Sequence, residues 1–262
     1  MHPALWISKS GLDAQSTELQ VTSNNLANAS TLGYKKSRAV FEDLFYQTVR
    51  APGSQSSQNT ELPSGLMLGT GVKTVATQKD FTQGSFQLTQ NQLDMAIEGE
   101  GFFQILRPDG STGYTRAGNF QLDENGQVVM AGSGFPLQPA INVPDDAISF
   151  DVSIDGIVSV QLPNQAAPAI LGQIQTANFI NPVGLKPIGQ NLFLETQASG
   201  APIVGNPSED GLGNLRGGQL ESSNVSVVEE LVGLIETQRA YEINAKVISG
   251  VDQMLQYVNQ TL

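Results

Sequence analysis

The 262-residue chain predicts an α+β fold: paired N- and C-terminal helices form a coiled-coil domain, and a central, mostly antiparallel β domain lies between them. Two observations carry this reading. Leucine returns every seventh residue at the start (Leu5, Leu12, Leu19, Leu26), and a second sevenfold series closes the chain with Val227, Leu234, Tyr241, Ile248, Leu255 and Leu262. Between the two the helical period disappears, and glycine, proline and Asp-Gly or Asn-Gly turns separate short alternating runs that read as strands.

The first helix occupies residues 1–33. Pro3 is tolerated in a first turn, apolar residues recur to about Ala29, and Gly33 is the expected stop. Ile7, Ala14 and Val21 follow each leucine by two residues, about 200° around the helix. Apolar residues on two nearly opposite faces predict a helix sandwiched between neighbours, whereas one stripe needs only an ordinary core.

Residues 34–71 read as a connecting segment. Phe41, Leu44, Phe45 and Val49 are spaced to pack nearby, and Lys35, Lys36 and Arg38 read as a solvated basic turn. From Ala51 to Gly71 the composition turns to Pro, Gly, Ser and Gln, that of a linker or extended loop.

The β domain spans 72–198. Asp109-Gly110, Asn125-Gly126 and Asp155-Gly156 each lie between alternating runs, the strongest local hairpin signal a sequence offers. Further strands are expected near 170–179 and 191–195, and 199–224 reads as a return linker. The closing helix fills 225–262. Ser226-Val-Val-Glu229 fits a capping box at its start. The sustained sevenfold phase implies a left-handed supercoil with a partner helix, and Gln238, Arg239 and Asn244 interrupt the stripe near Tyr241 as residues that set register. Whether the two stripes pair within one chain or between copies stays open at this level.

Composition excludes several functions. A formal charge of −12, from 13 Lys and Arg against 25 Asp and Glu, argues against a phosphate-binding surface and so against nucleic acid as a partner. There is no cysteine, and the single histidine is His2, so thiol chemistry and histidine-based triads or metal sites are set aside. No apolar run is long enough to span a membrane, and no signal-peptide pattern opens the chain. Gly69-Thr-Gly-Val-Lys-Thr74 lacks the core of a phosphate loop, and Gly99-Glu-Gly101 fails the dinucleotide fingerprint at its third glycine. Asp123-Glu-Asn-Gly126 reads as a turn rather than a calcium loop, and Asp145-Asp146 and Glu209-Asp210 as solvated acids. No catalytic, cofactor-binding or metal site is expected, and no cofactor.

Ser23-Asn-Asn-Leu-Ala-Asn-Ala-Ser-Thr-Leu-Gly-Tyr-Lys-Lys-Ser-Arg38 resembles the N-terminal signature of bacterial flagellar rod and hook proteins, with Asn24, Asn25, Leu26, Asn28, Thr31 and Gly33 at its motif positions. Glu100-Gly-Phe-Phe-Gln104 with Tyr114-Thr-Arg-Ala-Gly-Asn-Phe120 is similar to that family's β-domain motif. Gln238-Arg-Ala-Tyr-Glu-Ile-Asn-Ala-Lys246, with Gln238, Arg239, Tyr241 and Asn244, resembles its C-terminal helix. Residues 46–65, including Tyr46, Gln47, Pro52, Gly53, Pro63 and Gly65, look like the extra stretch of distal rod members, which hook members lack.

The resemblance implies a non-enzymatic subunit, exported through the flagellar export apparatus without a cleaved signal peptide. Copies polymerise into a rigid hollow rod that crosses the periplasm in the basal body, carries torque from motor to hook and forms part of the export channel. The implied partners are further copies in a helical tube, proximal rod subunits and hook protein as axial neighbours, and the surrounding bushing rings and rod cap. The polymerisation interface is expected at Leu5, Leu12, Leu19, Leu26, Val227, Leu234, Tyr241, Ile248 and Leu255. A proximal rod or hook subunit is the nearest alternative. An acidic secreted enzyme acting on polysaccharide is the alternative from another class, but it would not need paired helical ends.

Overall fold

The computed structural model describes residues 3–53, 55–57, 60–61, 63–163, 167–209 and 211–261; His2, Asp210 and Leu262 lie outside them. The chain forms two compact units. One comprises residues 1–27, 37–78 and 226–262, the other 28–36 and 79–225.

The first unit is built on α1 (Pro3–Ala27) and α2 (Val227–Thr261). They run antiparallel within one chain. Near one end the Asn25 amide donates to the Glu230 carboxylate at 3.2 Å, and further along Gly11 faces Asn244, whose Nδ2 lies 3.2 Å from where a Cβ would sit. Small side chains let the helices approach: Ser8, Ala14, Thr22 and Asn25 are buried on α1, and Val251 on α2. α2 begins where its sequence signal placed it, with the Ser226 carbonyl, rather than its hydroxyl, accepting the Glu230 amide at 3.0 Å.

α1 stops at Ala27, well short of Gly33. The reason lies in Asn25. Its Oδ1 accepts the Ser37 N–H at 2.9 Å and its Nδ2 donates to the Ser37 carbonyl at 2.8 Å, so the returning chain is held against the last turn of α1.

Residues expected as a connecting segment and extended loop instead pair as nested strands. β1 (Ser37–Asp43) will pair with the last strand of the set; β2 (Gln47–Arg50) and β3 (Gln55–Ser57) lead outward; β4 (Thr60–Glu61), β5 (Leu66–Leu68) and β6 (Val72–Lys79) return. The pairs are β1 with β6, β2 antiparallel to β5, and β3 antiparallel to β4. Side-chain composition hides this ribbon because backbone groups make it. Leu44 N–H donates to the Gly71 carbonyl at 2.9 Å, and the Thr70 hydroxyl to that of Phe45 at 2.7 Å. Residues 72–78 consequently belong with the helices rather than with the β domain.

The second unit is antiparallel throughout its registered pairs. Its main sheet orders the strands Lys186–Gly189, Leu192–Leu194, Thr112–Thr115, Phe102–Leu106, Thr176–Asn178 and Ile203–Gly205, with Leu137–Gln138 also pairing with Phe102–Leu106. Ser149–Val152, Ile157–Gln161 and Ala169–Gln173 form a three-stranded sheet. The three turns read from sequence all form: Gly110, Gly126 and Gly156 take positive φ, and their N–H groups bond Arg107, Asp123 and Ser153 carbonyls at 2.9 Å each. Alternation places Phe103, Ile105, Phe120, Val128, Leu137, Val158, Val160 and Ile174 in one closed core. A smaller cluster gathers Phe102, Tyr114, Phe179 and Phe193 edge to face.

The stretch read as a return linker also carries strands of this unit. Asn214–Gly217 pairs with Met95–Glu98, and Gln219–Glu221 with Phe86–Leu88. Its glycines and prolines mark bends between short strands, a composition that a linker shares.

Candidate assembly interface

The helix pair buries its small residues and leaves much of its large apolar surface in solvent. Leu5, Leu12, Leu19 and Leu26 are half-buried on α1, as are Leu234 and Ile248 on α2, while Val227, Tyr241 and Leu255 are exposed. Around α2, Val228, Val232, Ile235 and Ile243 are exposed too, Ile243 at 62%. Scattered exposed apolar residues are ordinary, but so many exposed large apolar side chains on one helix make it the candidate interaction surface.

The seam between the helices is polar where the charges meet. Asn25, 2% exposed, holds Ser37 and Glu230 together. The buried Glu18 Oε2 and Gln15 Oε1 have no hydrogen-bond partner among the described residues. Burial raises the Glu18 carboxyl above its usual range, and the Glu230 carboxylate raises it further. Such a seam supports register more than affinity. Among the remaining motif residues of the helices, Asn24, Gln238 and Arg239 are exposed, and Asn244 is half-buried against Gly11.

The ribbon contains residues 46–65, whose family resemblance was noted in the sequence. Tyr46 and Gln47 are exposed at its base, and a hydrogen bond to the Asp43 carboxylate raises the Tyr46 phenol. Neighbouring Phe45 is 95% exposed. Pro52 and Gly53 turn the outgoing strand, and Pro63 lies on the return. Gly65 is where the two meet, since a Cβ there would lie 2.6 Å from the Arg50 carbonyl oxygen and 2.7 Å from Pro52.

In the second unit the N-terminal motif ends in a tight packed turn. The Thr31 hydroxyl donates to Asn28 Oδ1 at 3.1 Å. Gly33 has φ +65, its N–H donates to the Glu221 carbonyl at 2.8 Å, and a Cβ would fall 2.5 Å from the Ala117 nitrogen. Only glycine fits there.

Lys35, read above as part of a solvated basic turn, is instead fully buried. Its ammonium meets Glu221 Oε1 at 2.6 Å and donates to the Thr82 carbonyl at 2.8 Å. Arg116 approaches Glu221 Oε2 at 3.5 Å and donates to the Gly99 carbonyl at 2.7 Å. Burial pushes both cations' pKa values down while Glu221 opposes the shift. Of the cluster, only Arg38 is exposed, paired with Gln78, and Lys36 is half-buried near Asp80. No local signal distinguishes Lys35 from its neighbours, because its partner lies 186 positions away.

Nothing among the described residues forms a group of acids and histidines that could hold a metal ion, and no helix there is long and apolar enough to cross a membrane.

Comparison with known proteins identifies the family. Residues 5–35 match the family described as flagella basal body rod protein, 96–160 the flagellar hook protein FlgE/F/G D1 domain, and 216–261 the flagellar basal body rod FlgEFG protein C-terminal family. The chain is 55% identical over 260 residues to a flagellar basal-body rod protein FlgG of Buchnera aphidicola, covering 99% of this chain and 100% of that one. It is 37% identical to the Bacillus subtilis protein of the same name over 97% of this chain and 96% of that one. The Salmonella typhimurium flagellar hook protein FlgE is 24% identical over 94% and 96%.

Proposed function

The chain belongs to the flagellar basal-body rod protein family, and from that premise we infer that it is the structural subunit of the distal rod, polymerising through its helical unit. The observation that carries this is the apolar surface of α2, exposed from Val228 through Ile243 to Met254 in a chain whose second unit closes its own core. Identical copies meeting through different faces do not close on themselves, and such contacts generate a helical tube. Leu5, Leu12, Leu19 and Leu26, with Val227, Leu234, Tyr241, Ile248 and Leu255, complete their burial in that wall.

In this reading the tube lies in the basal body, crosses the periplasm, carries torque and passes later subunits through its lumen. Proximal rod and hook subunits adjoin it axially, rings and cap surround or end it, and the chain has no catalytic task. The ribbon of residues 46–71 stiffens the wall by ordering against adjacent copies. Support comes from its nested strands, which make a rigid projection where a plain loop would be compliant.

Negative-stain microscopy of the concentrated protein tests the main reading. Filaments are expected from the full chain and none from a version lacking residues 1–27 and 226–262; filaments from both would overturn it. Removing residues 51–63 tests the ribbon, with assembly retained and filaments curved; unchanged straight filaments would remove its stiffening role.

A further inference from the structure

The helix pair is unequal at one end. Its register places Ala4 opposite the buried Val251, so α1 runs out while α2 continues as helix to Thr261. Residues 253–261 therefore project past α1 by roughly 13 Å. This projection carries Met254 and Leu255, 61% and 42% exposed, and no charged side chain between Gln253 and Leu262.

At the same end, the start of α1 and the returning ribbon strand enclose an apolar groove of about 510 Å³. Pro3, Ala4, Trp6 and Ile7 form one wall and Gln47, Leu68, Gly69 and Thr70 the other; none of these lining residues is charged, and the nearest cation on Trp6 is Lys9, 5.4 Å from the ring centre. Trp6, Ile7 and Leu68 are all partly open to solvent. The chain's own α2 cannot fill it, because an unbroken helix leaving that end does not double back.

We propose that the groove receives the projecting end of α2 from a second copy. The argument rests on the lack of charged side chains in both surfaces as much as on their apolarity. Copies bearing −12 repel one another, and close contact costs least where both surfaces are uncharged. Both elements meet that condition, and both would otherwise keep large apolar side chains in water. The proposal rests on the polymer reading and gives it a specific contact, in which the base of the ribbon forms part of the socket.

The absence of native cysteine makes a direct test possible. Equal amounts of Ile7→Cys and Met254→Cys proteins are mixed, concentrated and oxidised; both positions are exposed, so neither change disturbs a core. The expected result is a disulfide-linked pair of chains as the main covalent product, well above that from Met254→Cys mixed with Ile170→Cys, a control position on the second unit. In parallel, Ile7→Gln and Met254→Gln should each raise the concentration needed for half-assembly roughly tenfold, and together little more than either alone. Filaments without cross-link above the control overturn the proposal and leave the polymer reading standing. No filaments from any protein at any concentration overturn both.

Discussion

The two units solve burial in opposite ways. In the β unit, Phe103, Phe120, Ile105 and Leu137 are fully enclosed by strands of the same unit. In the helical unit the buried positions are Ser8, Ala14, Thr22, Asn25 and Val251, while Trp6, Ile243 and Met254 face solvent. A closed core derives its stability from within one chain. The helical unit has spent its small residues on bringing two helices close, and its large apolar residues remain available to other copies.

Truncations and charge deletions in the β unit should break this contrast most visibly. Phe103→Ala is expected to cost about 3–5 kcal/mol in chemical unfolding, through lost burial and a cavity. Glu221→Gln should cost a similar amount, about 3–5 kcal/mol, because Lys35 and Arg116 are then buried without their paired carboxylate, with only Asp80 and Glu100 acting on them from further off. Lys35→Met should cost less, since Glu221 keeps Arg116. Equal losses from the two would show that the three groups do not act as one cluster.

Asn25→Ala probes the helical unit at the clamp between α1, Ser37 and Glu230. It removes bonds to both backbone groups of Ser37 and to Glu230, with an expected loss of about 1–3 kcal/mol seen as faster amide exchange at the end of α1. The pH dependence of the same seam is smaller. Glu18 has a folded pKa above its ordinary 4.5, so the folded state holds the proton more tightly. Its stabilising contribution is full below 4.5 and is lost as pH rises through the raised value. Protection of the seam amides, with the intrinsic pH dependence of exchange divided out, should therefore rise on mild acidification, and Glu18→Gln should abolish that rise.

The smallest effect on the isolated chain sharpens the contrast furthest. Ile243→Ala should change unfolding stability by no more than about 0.5 kcal/mol, since the residue is already in solvent. Sedimentation should nevertheless show weaker assembly. A large loss of monomer stability with assembly unaffected would reverse the assignment of the two regions.

Much of this was legible in advance. Sevenfold leucines located α1 but overran its end, which falls at Ala27 rather than Gly33, and the Ser226 signal located the start of α2. The three Asp-Gly and Asn-Gly turns each appear with a left-handed glycine, because that conformation is a property of the dipeptide. The strands within residues 37–71 were not legible, since Ser, Gln and Gly say little about which backbone groups will pair. Lys35 read as solvated for the same reason: its environment comes from Glu221 and the Thr82 carbonyl, both distant in the chain.

By itself, then, the sequence determined where the two helices lie, where three hairpins turn, that cysteine is absent and histidine confined to His2, and to which family its motifs point. Those are properties of neighbouring residues, written by periodicity, backbone preference and composition. Only the tertiary structure decided that the terminal helices pair antiparallel within one chain, that small polar residues occupy their seam while the leucines stay half-buried, and that a longer α2 projects beside an uncharged groove. Each of these depends on which distant surfaces come into contact. That is settled by packing and desolvation across the whole chain, for which local patterns carry no record.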